Sequence, residues 1–278
     1  MRGGYREGVD LDDLLASAPP WPRRVVCLTE ETVETLYRIG AGDLVVGVSG
    51  FVVRPPEARK KPKVSTFLDA KFDAILDLKP DVVLGFSDLQ ADLGRELAKR
   101  GVPVYVFNQR SVAEVLQTVR VVGAIVGKAA EADALASELT AHVETVAAKG
   151  AALSRRPRVF FEEWPDPLIS GIRWVSELIE IAGGEDVCAE TRARHDAKGR
   201  IFDPAEVARR DPEVVLASWC GKKVKQDAIR GRPGWDAVAA VRAGRIHEIP
   251  SEEILQPGPA ALTDGLDRLA AHIAEAAG

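Results

Sequence analysis

The sequence predicts an α/β protein with two Rossmann-like lobes, each built on a parallel sheet, joined by one long backbone α-helix. Three observations support this fold. Segments of the first half recur in the same order in the second half, predicted strands alternate with helical patterns, and an Ala-rich helical stretch separates the halves. Because ligands of open parallel sheets bind beyond the carboxyl ends of the strands, the fold also predicts a ligand cleft between the lobes.

Three pairs of segments carry the internal repeat. In the first pair a short strand is followed by acidic residues and a helical pattern. In the second pair proline ends a helix before a buried strand, and in the third pair glycine does. The order of the segments is the same in both halves. The pairs are 23–28 with 156–161, 75–85 with 207–217, and 99–106 with 242–249.

The repeat divides the chain into four parts. Residues 1–21 form an N-terminal extension, 22–110 the first α/β lobe, 111–154 a connecting helical segment, and 155–278 the second lobe. One helix is predicted over 129–149, and its length of about 32 Å is enough to cross the back of two lobes. The alternative is a crossover helix inside a single large domain, which leaves the repeat unexplained.

Composition and charge restrict the class of protein. Hydrophobic residues make up 46% and charged residues 28% of the 278 positions, as in soluble globular proteins. The net charge is −5, and Arg59-Lys60-Lys61 is the longest basic run, so nucleic acid is not an expected partner. The sequence has no apolar run of about 18 residues, and we therefore expect a protein that does not span a membrane.

The start of the chain predicts a cytoplasmic protein. The first twenty residues carry three aspartates and lack the apolar core of a secretory signal, while Leu11, Leu14 and Leu15 form an amphipathic run. A periplasmic location is the alternative if a signal has been removed. The three cysteines are Cys27, Cys188 and Cys220; they form no C-x-x-C motif, and reduced thiols are expected.

Aromatic residues gather in the loops that follow the predicted strands. A broad aromatic surface suits a large flat or amphipathic ligand, because rings supply contact area with little ordering of side chains. The alternative for each tryptophan is that it covers the core of its own lobe. The candidate ligand-binding residues of these loops are Glu31, Phe51, Phe67, Phe86, Trp164, Trp174, Trp219, Cys220 and Gln256.

Several segments resemble the class III substrate-binding proteins, a bilobed, helical-backbone family that serves cobalamin, haem and ferric-siderophore importers and includes metal receptors. The general marks are Arg24 to Thr35 with Gly47-Val48, the Pro55-Pro56 turn, Leu-Lys-Pro-Asp at 78–81, and 183–187. Residues 234–246 and 256–259 are similar to the cobalamin-binding branch, and Trp219-Cys220-Gly221 resembles its Pro-Cys-Gly.

The resemblance implies that cobalamin or a related corrinoid is bound between the lobes without catalysis, with no required cofactor and an ABC permease as a partner. Phe51, Phe67 and Phe86 match aromatic ligand contacts of the branch, and Trp164 lies beside another. Arg54 stands where an aromatic residue is expected. For permease docking, Asp73 matches one carboxylate, and Glu206 is offset by one residue from the second. A cytoplasmic member would store, sense or hand on its ligand.

Enzymes and anion receptors are the alternatives. No H-E-x-x-H, G-x-S-x-G or phosphate-binding glycine motif occurs. Glu162 and Glu163 are adjacent on a strand and point to opposite faces, so they do not form a glycosidase pair. An anionic siderophore would need clustered arginines, for which Arg54 and Arg173 are the candidates.

A metal receptor is a further alternative. Such a site needs several converging imidazoles, and the four histidines lie outside the strand-end loops in unrelated contexts. We therefore predict no metal site. Cys220 is expected to be packed as a small buried thiol rather than to bind a soft metal.

Overall fold

The computed structural model describes residues 19–278. The predicted amphipathic run at Leu11, Leu14 and Leu15, and most of the predicted extension 1–21, lie outside the described residues.

The first lobe is built on a five-stranded parallel sheet. Its strands have the order β3-β2-β1-β4-β5. Strand β4 is buried at every position, as expected for a β-branched run in a sheet that helices cover on both faces. The elements are β1 (Val25–Cys27), α1 (Glu30–Arg38), β2 (Val45–Ser49), β3 (Lys63–Ser65), α2 (Phe72–Asp77), β4 (Val82–Phe86), α3 (Ala91–Lys99) and β5 (Val104–Phe107).

Two helices connect the lobes. Helix α4 spans Val112–Ile125 and begins with a capping box, in which the side chain of Ser111 accepts from the backbone N–H of Glu114 and the Glu114 carboxylate accepts from that of Ser111. Helix α5 spans Ala129–Ala151, so the helix predicted over 129–149 is two residues longer than expected. Its buried face, which includes Leu135, Leu139 and Val146, packs on both lobes.

The second lobe has a mixed sheet of order β10-β9-β6-β7, with β8 paired to the start of β6. Strand β7 runs antiparallel to β6 because only Asp166 and Pro167 join the two strands, too few for a parallel crossover. The elements are β6 (Arg158–Pro165), β7 (Leu168–Ser170), α6 (Arg173–Ile181), β8 (Glu185–Asp186), α7 (Pro204–Arg210), β9 (Val214–Ala217), α8 (Gln226–Arg230), α9 (Ala239–Arg242), β10 (Ile246–Glu248), α10 (Ser251–Ile254) and α11 (Leu266–Ala277).

One hydrophobic core joins the lobes. Val25 and Leu84 of the first sheet belong to the same buried cluster as Val159 and Phe161 of the second, with Leu139 of α5 among them. Each lobe has a further buried cluster on the outer face of its sheet. The predicted two-lobe α/β fold is confirmed. A shared core means that the lobes are packed together, in addition to being linked by a helix.

Within residues 19–278, no helix combines the length and the apolar composition needed to cross a bilayer.

Candidate functional site

The loops at the carboxyl ends of the two sheets meet between the lobes. Phe86 ends β4 and contacts Trp174 of α6 edge to face, with 6.4 Å between ring centroids. The side-chain amide of Gln109, just after β5, donates to the carbonyl of Pro257 at 3.1 Å. We call the space bordered by these strand-end loops the cleft.

Exposed apolar side chains border the cleft on the first lobe. Phe51, Leu68 and Leu89 follow β2, β3 and β4, and are 55%, 65% and 60% exposed, respectively. Phe67 is half-buried beside them. Large apolar side chains left in water at successive strand ends indicate a surface that a partner or ligand covers.

The second lobe contributes Trp164 and Cys220. Trp164 is half-buried at the end of β6, and the ammonium of Lys222 lies 4.3 Å from the centroid of its ring. Cys220 is exposed, contrary to the predicted packed thiol. Partial desolvation of the thiol by the surrounding protein raises its pKa, and the negative charges of Glu30 and Glu163 raise it further. The Cys220 side chain is therefore an exposed neutral thiol near Glu30 of the opposite lobe.

Three predicted ring contacts are buried instead of facing the cleft. Phe86, Trp174 and Trp219 are 6%, 2% and 5% exposed. Trp174 lies on the first turn of α6, which turns its indole into the shared core, where Nε1 donates to the carbonyl of Ile254 at 2.9 Å. Trp219 donates to Glu162 at 3.1 Å. The expectation that these three rings are exposed to the cleft is wrong. Each ring is instead packed beneath the loops that border the cleft.

Arg110 forms the floor of the cleft between the lobes. It is 6% exposed, its guanidinium lies 4.9 Å from the centroid of Phe86, and it donates to Asp88 at 2.9 Å and to the hydroxyl of Ser87 at 3.1 Å. Ser87 has φ of 77°, a strained conformation for a residue with a side chain. Arg110 is also near enough to Arg200 and Glu163 of the second lobe to be affected by their charges.

Glu162 and Glu163 point to opposite faces of β6, as predicted. Glu163 accepts two hydrogen bonds from the buried Arg200, at 2.6 and 2.9 Å. Glu162 is fully buried and accepts two from Arg232, at 2.6 and 2.9 Å. Each carboxylate therefore has its own guanidinium, and the two do not form a catalytic pair.

The start of α1 carries three buried carboxylates, Glu30, Glu31 and Glu34. Burial, and then the neighbouring Glu31, raises the pKa of Glu30 to about 8, and burial raises the pKa of Glu31 to about 7. The helix N-terminus favours the ionised form, but desolvation dominates. Glu31 lies beneath the loop of the second lobe, because a Cβ atom on Gly258 would lie 2.5 Å from the Cβ of Glu31. Glu31 thus belongs to the contact between lobes.

Arg54 lies in a separate groove beside α1. It bridges the lobes by ion pairs with Asp264 at 2.6 Å and Glu34 at 3.4 Å. The groove has a volume of about 640 Å³, and Tyr37, Pro56 and Glu252 contribute to its walls. The prediction that Arg54 and Arg173 converge on one anion is not supported, because Arg173 pairs with Glu177 along α6 at 2.8 Å.

The remaining predicted residues lie outside the centre of the cleft. Gln256 is half-buried in the loop between α10 and α11, next to the Pro257 carbonyl that Gln109 contacts. Asp73 is exposed on the first turn of α2. Glu206 occupies the first turn of α7 and forms ion pairs with Arg209 and Arg210.

The sequence analysis missed Arg110, Arg200 and Glu30. Arg110 comes three residues after β5 and Glu30 three residues after β1, so the rule that ligands bind at carboxyl strand ends would have found both. No local signal marks Arg200, which reaches the site from the long connection between β8 and α7. The prediction of unrelated histidines was also incomplete, since the rings of His247 and His272 stack at 3.9 Å.

Comparisons with known proteins extend over most of the chain. The sequence profile of a family described as "Periplasmic binding protein" matches residues 25–253. The ABC transporter substrate-binding lipoprotein YvrC of Bacillus subtilis is 26% identical over 263 residues, which are 91% of this chain and 80% of that protein. A vitamin B12-binding protein of Yersinia pestis is 28% identical over 199 residues, 70% of this chain and 69% of that protein.

The fold is also similar to solved structures. The periplasmic haem-binding protein RhuT of Roseiflexus sp. RS-1 superimposes with a TM-score of 0.80 at 23% identity, covering 92% of this chain and 99% of that chain. A likeness at this level of identity describes the fold.

Proposed function

The chain belongs to the periplasmic binding protein family, whose members are non-catalytic solute-binding proteins, and from that premise we propose that its cleft binds cobalamin or a related corrinoid. One observation carries the proposal. Exposed apolar side chains surround a floor on which each arginine already has a carboxylate partner. Such a surface suits a broad, flat ligand that carries amides rather than several negative charges.

The charge balance of the floor supports a ligand with little net charge. Arg110 pairs with Asp88, and Arg200 pairs with Glu163. A polyanionic chelate would have to displace these carboxylates, which leaves buried charges uncompensated. A corrinoid needs no such displacement. Its apolar rim contacts rings, and its amides exchange hydrogen bonds with polar groups that the cleft already holds.

The side of the cleft formed by the first lobe, which we call the first wall, supplies apolar contacts to the ligand. Phe51, Leu68 and Leu89 are all more than half exposed, and Trp164 lies half-buried at a strand end of the other lobe. Aromatic side chains supply large contact area at low entropic cost. The relative from Yersinia pestis described as a vitamin B12-binding protein adds independent support for a corrinoid.

The absence of activated nucleophiles supports binding without chemistry. Among residues 19–278, His142 is the histidine whose side chain forms a hydrogen bond, and its partner is Asp267. The raised pKa of Cys220 keeps its thiol protonated, whereas nucleophilic cysteines have lowered pKa values.

An anionic tetrapyrrole such as haem is the second candidate. The Nε atoms of both Arg110 and Arg200 are buried without a hydrogen-bond partner. An acidic group entering between the lobes would satisfy them. The solved structure of the haem-binding protein of Roseiflexus sp. RS-1 has the same fold.

As a partner we propose an ABC permease that contacts Asp73 and Glu206. Both carboxylates lie on the first turn of a short helix in equivalent parts of the two lobes. Glu206 is held by two arginines, so we expect Asp73 to make the stronger contribution to docking.

The test is calorimetric titration of the purified full chain with cyanocobalamin, haemin and a ferric siderophore at low and high salt. For the corrinoid we expect a Kd tighter than about 100 μM, equivalent to about −5.5 kcal/mol, and little change with salt. Anionic ligands would bind more weakly as salt increases. A Kd for haemin tighter than that for cyanocobalamin, with strong salt dependence, would transfer the proposal to the second candidate. A Kd for the ferric siderophore tighter than both would contradict both candidates.

A further inference from the structure

Two histidines and a glutamate meet at the outer edge of the second lobe. His247 lies on the edge strand β10, and His272 and Glu275 lie on the C-terminal helix α11. Each of the three offers one ligand atom, and these atoms lie within 4.8 Å of one another. The two imidazole rings stack, with centroids 3.9 Å apart and an interplanar angle of 13°.

We propose that His247, His272 and Glu275 form a binding site for one divalent transition-metal ion of the zinc type. Two imidazoles and a carboxylate are a common donor set for Zn²⁺, with water as the fourth ligand. This site is distinct from the cleft, because its residues lie on the edge strand and on α11, and not in the strand-end loops.

The spacing of the three residues favours a common ion. His272 and Glu275 are three residues apart on α11, which places both on one face of the helix. His247 faces them from the neighbouring strand. Bonds of about 2.0–2.2 Å to a tetrahedral ion require ligand atoms about 3–3.6 Å apart. From the present spacing of up to 4.8 Å, the ligand atoms would approach one another by about 1–2 Å, and the stacked rings would tilt so that one nitrogen of each points at the ion.

The burial of the three donors suits a bound ion with one side open to water. Both imidazole rings are half-buried, whereas Glu275 is exposed. An ion held by the three residues would therefore remain accessible to water, the expected fourth ligand.

Occupation of the site would tie the C-terminal helix to the edge of the sheet. Among the described residues, β9 is the strand that pairs with β10, which lies at the edge of the sheet. Edge strands are the part of a sheet most exposed to other chains. An ion held by β10 and α11 together stabilises the native state by binding to it and not to the unfolded chain.

The test is titration of the metal-free full chain with Zn²⁺ by calorimetry, and with Co²⁺ by visible absorption. We expect one equivalent of Zn²⁺, a Kd in the low micromolar range or tighter, and the intense d–d bands of four-coordinate Co²⁺. His247→Gln and His272→Gln should each weaken Zn²⁺ binding at least tenfold. Glu275→Gln should weaken it as well; because Glu275 is exposed, this variant tests the site without altering the core.

His195→Gln is the matched control, because His195 is exposed and remote from the cluster in the chain; it should bind like the unchanged protein. Cys220→Ser controls for binding in the cleft and should also leave the Kd unchanged. Circular dichroism of each metal-free variant establishes that it is folded. The proposal is overturned if Zn²⁺ binds no tighter than about 1 mM, or if Cys220→Ser reduces binding while the variants of the cluster do not.

Discussion

The two walls of the cleft are built differently. The first lobe leaves Phe51, Leu68 and Leu89 in solvent. The second lobe buries Trp174 and Trp219 and braces its strand ends with the ion pairs of Glu162 and Glu163. The internal repeat therefore conserves the positions of strands but not the use of the loops. The difference teaches that ligand contact and structural support have been divided between the lobes.

The largest effect is expected from breaking the support in the second lobe. Arg232→Ala leaves the fully buried carboxylate of Glu162 without its guanidinium partner. Removing one member of a buried pair typically costs about 3–5 kcal/mol. We expect a loss of that size in the free energy of unfolding, measured by urea denaturation. Arg173→Ala, which removes a partly exposed pair along α6, is the control and should cost less than about 1 kcal/mol. Equal losses of stability in the two variants would contradict the view that the buried ion pairs of the second lobe provide its structural support.

A smaller effect concerns the buried carboxylates of α1. Because the pKa of Glu30 is raised from 4.5 to about 8, its contribution to stability is fully present below pH 4.5 and is lost as the pH rises through about 8. Glu30→Gln should therefore stabilise the protein at pH 8.5, by about 1–3 kcal/mol, and change little at pH 4.5. Thermal unfolding at both pH values measures the effect, and Glu57→Gln, at an exposed position, is the control. A gain of the same size at both pH values would show that charge is not the cause.

The exposed wall is expected to affect binding without affecting stability. Phe51→Ala should weaken corrinoid binding by about 1–2 kcal/mol, or roughly 5–30-fold, with an unchanged urea midpoint. Tyr105→Ala is a matched control, because Tyr105 is 44% exposed on β5, away from the strand-end loops. If Tyr105→Ala weakened binding as much as Phe51→Ala, the first wall would not be the ligand surface.

The smallest effect is expected at Asp88, the exposed partner of Arg110. Because the Asp88 side chain is 69% exposed and an asparagine oxygen can still accept from the buried Arg110 guanidinium, Asp88→Asn should change the free energy of unfolding by about 1 kcal/mol, well below the loss for Arg232→Ala. The same variant distinguishes a corrinoid from an anionic tetrapyrrole as the ligand. Removing this carboxylate leaves corrinoid binding unchanged and strengthens the binding of an anionic tetrapyrrole. Tighter haemin binding accompanied by weaker cobalamin binding would favour the second candidate.

The internal repeat and the positions of proline and glycine between predicted helices and strands were sufficient to predict the fold. Pro80 and Pro212 each precede a buried strand, β4 and β9, in the two lobes, because a proline that follows a helix cannot continue it. The sequence analysis contains no antiparallel strand, so β7, which only Asp166 and Pro167 connect to β6, was missed.

The site was predicted less well, for a physical reason. The rule of strand ends locates loops, and the structure places the predicted candidates Phe51 and Trp164 at strand ends. The rule does not tell which rings turn inward, because burial of Trp174 depends on Ile254, 80 residues away. Likewise, Arg200 and Glu163 are 37 residues apart, and only the fold brings them together.

Hydrogen–deuterium exchange with and without cyanocobalamin tests most directly whether the ligand lies in the cleft. We predict that the ligand slows exchange in the strand-end loops of both lobes, at 50–52, 66–69, 164–166 and 219–222. Exchange in the Arg54 groove, at 56–60 and 252–253, should not change. Protection confined to the groove, or absent from one of the two lobes, would contradict the account.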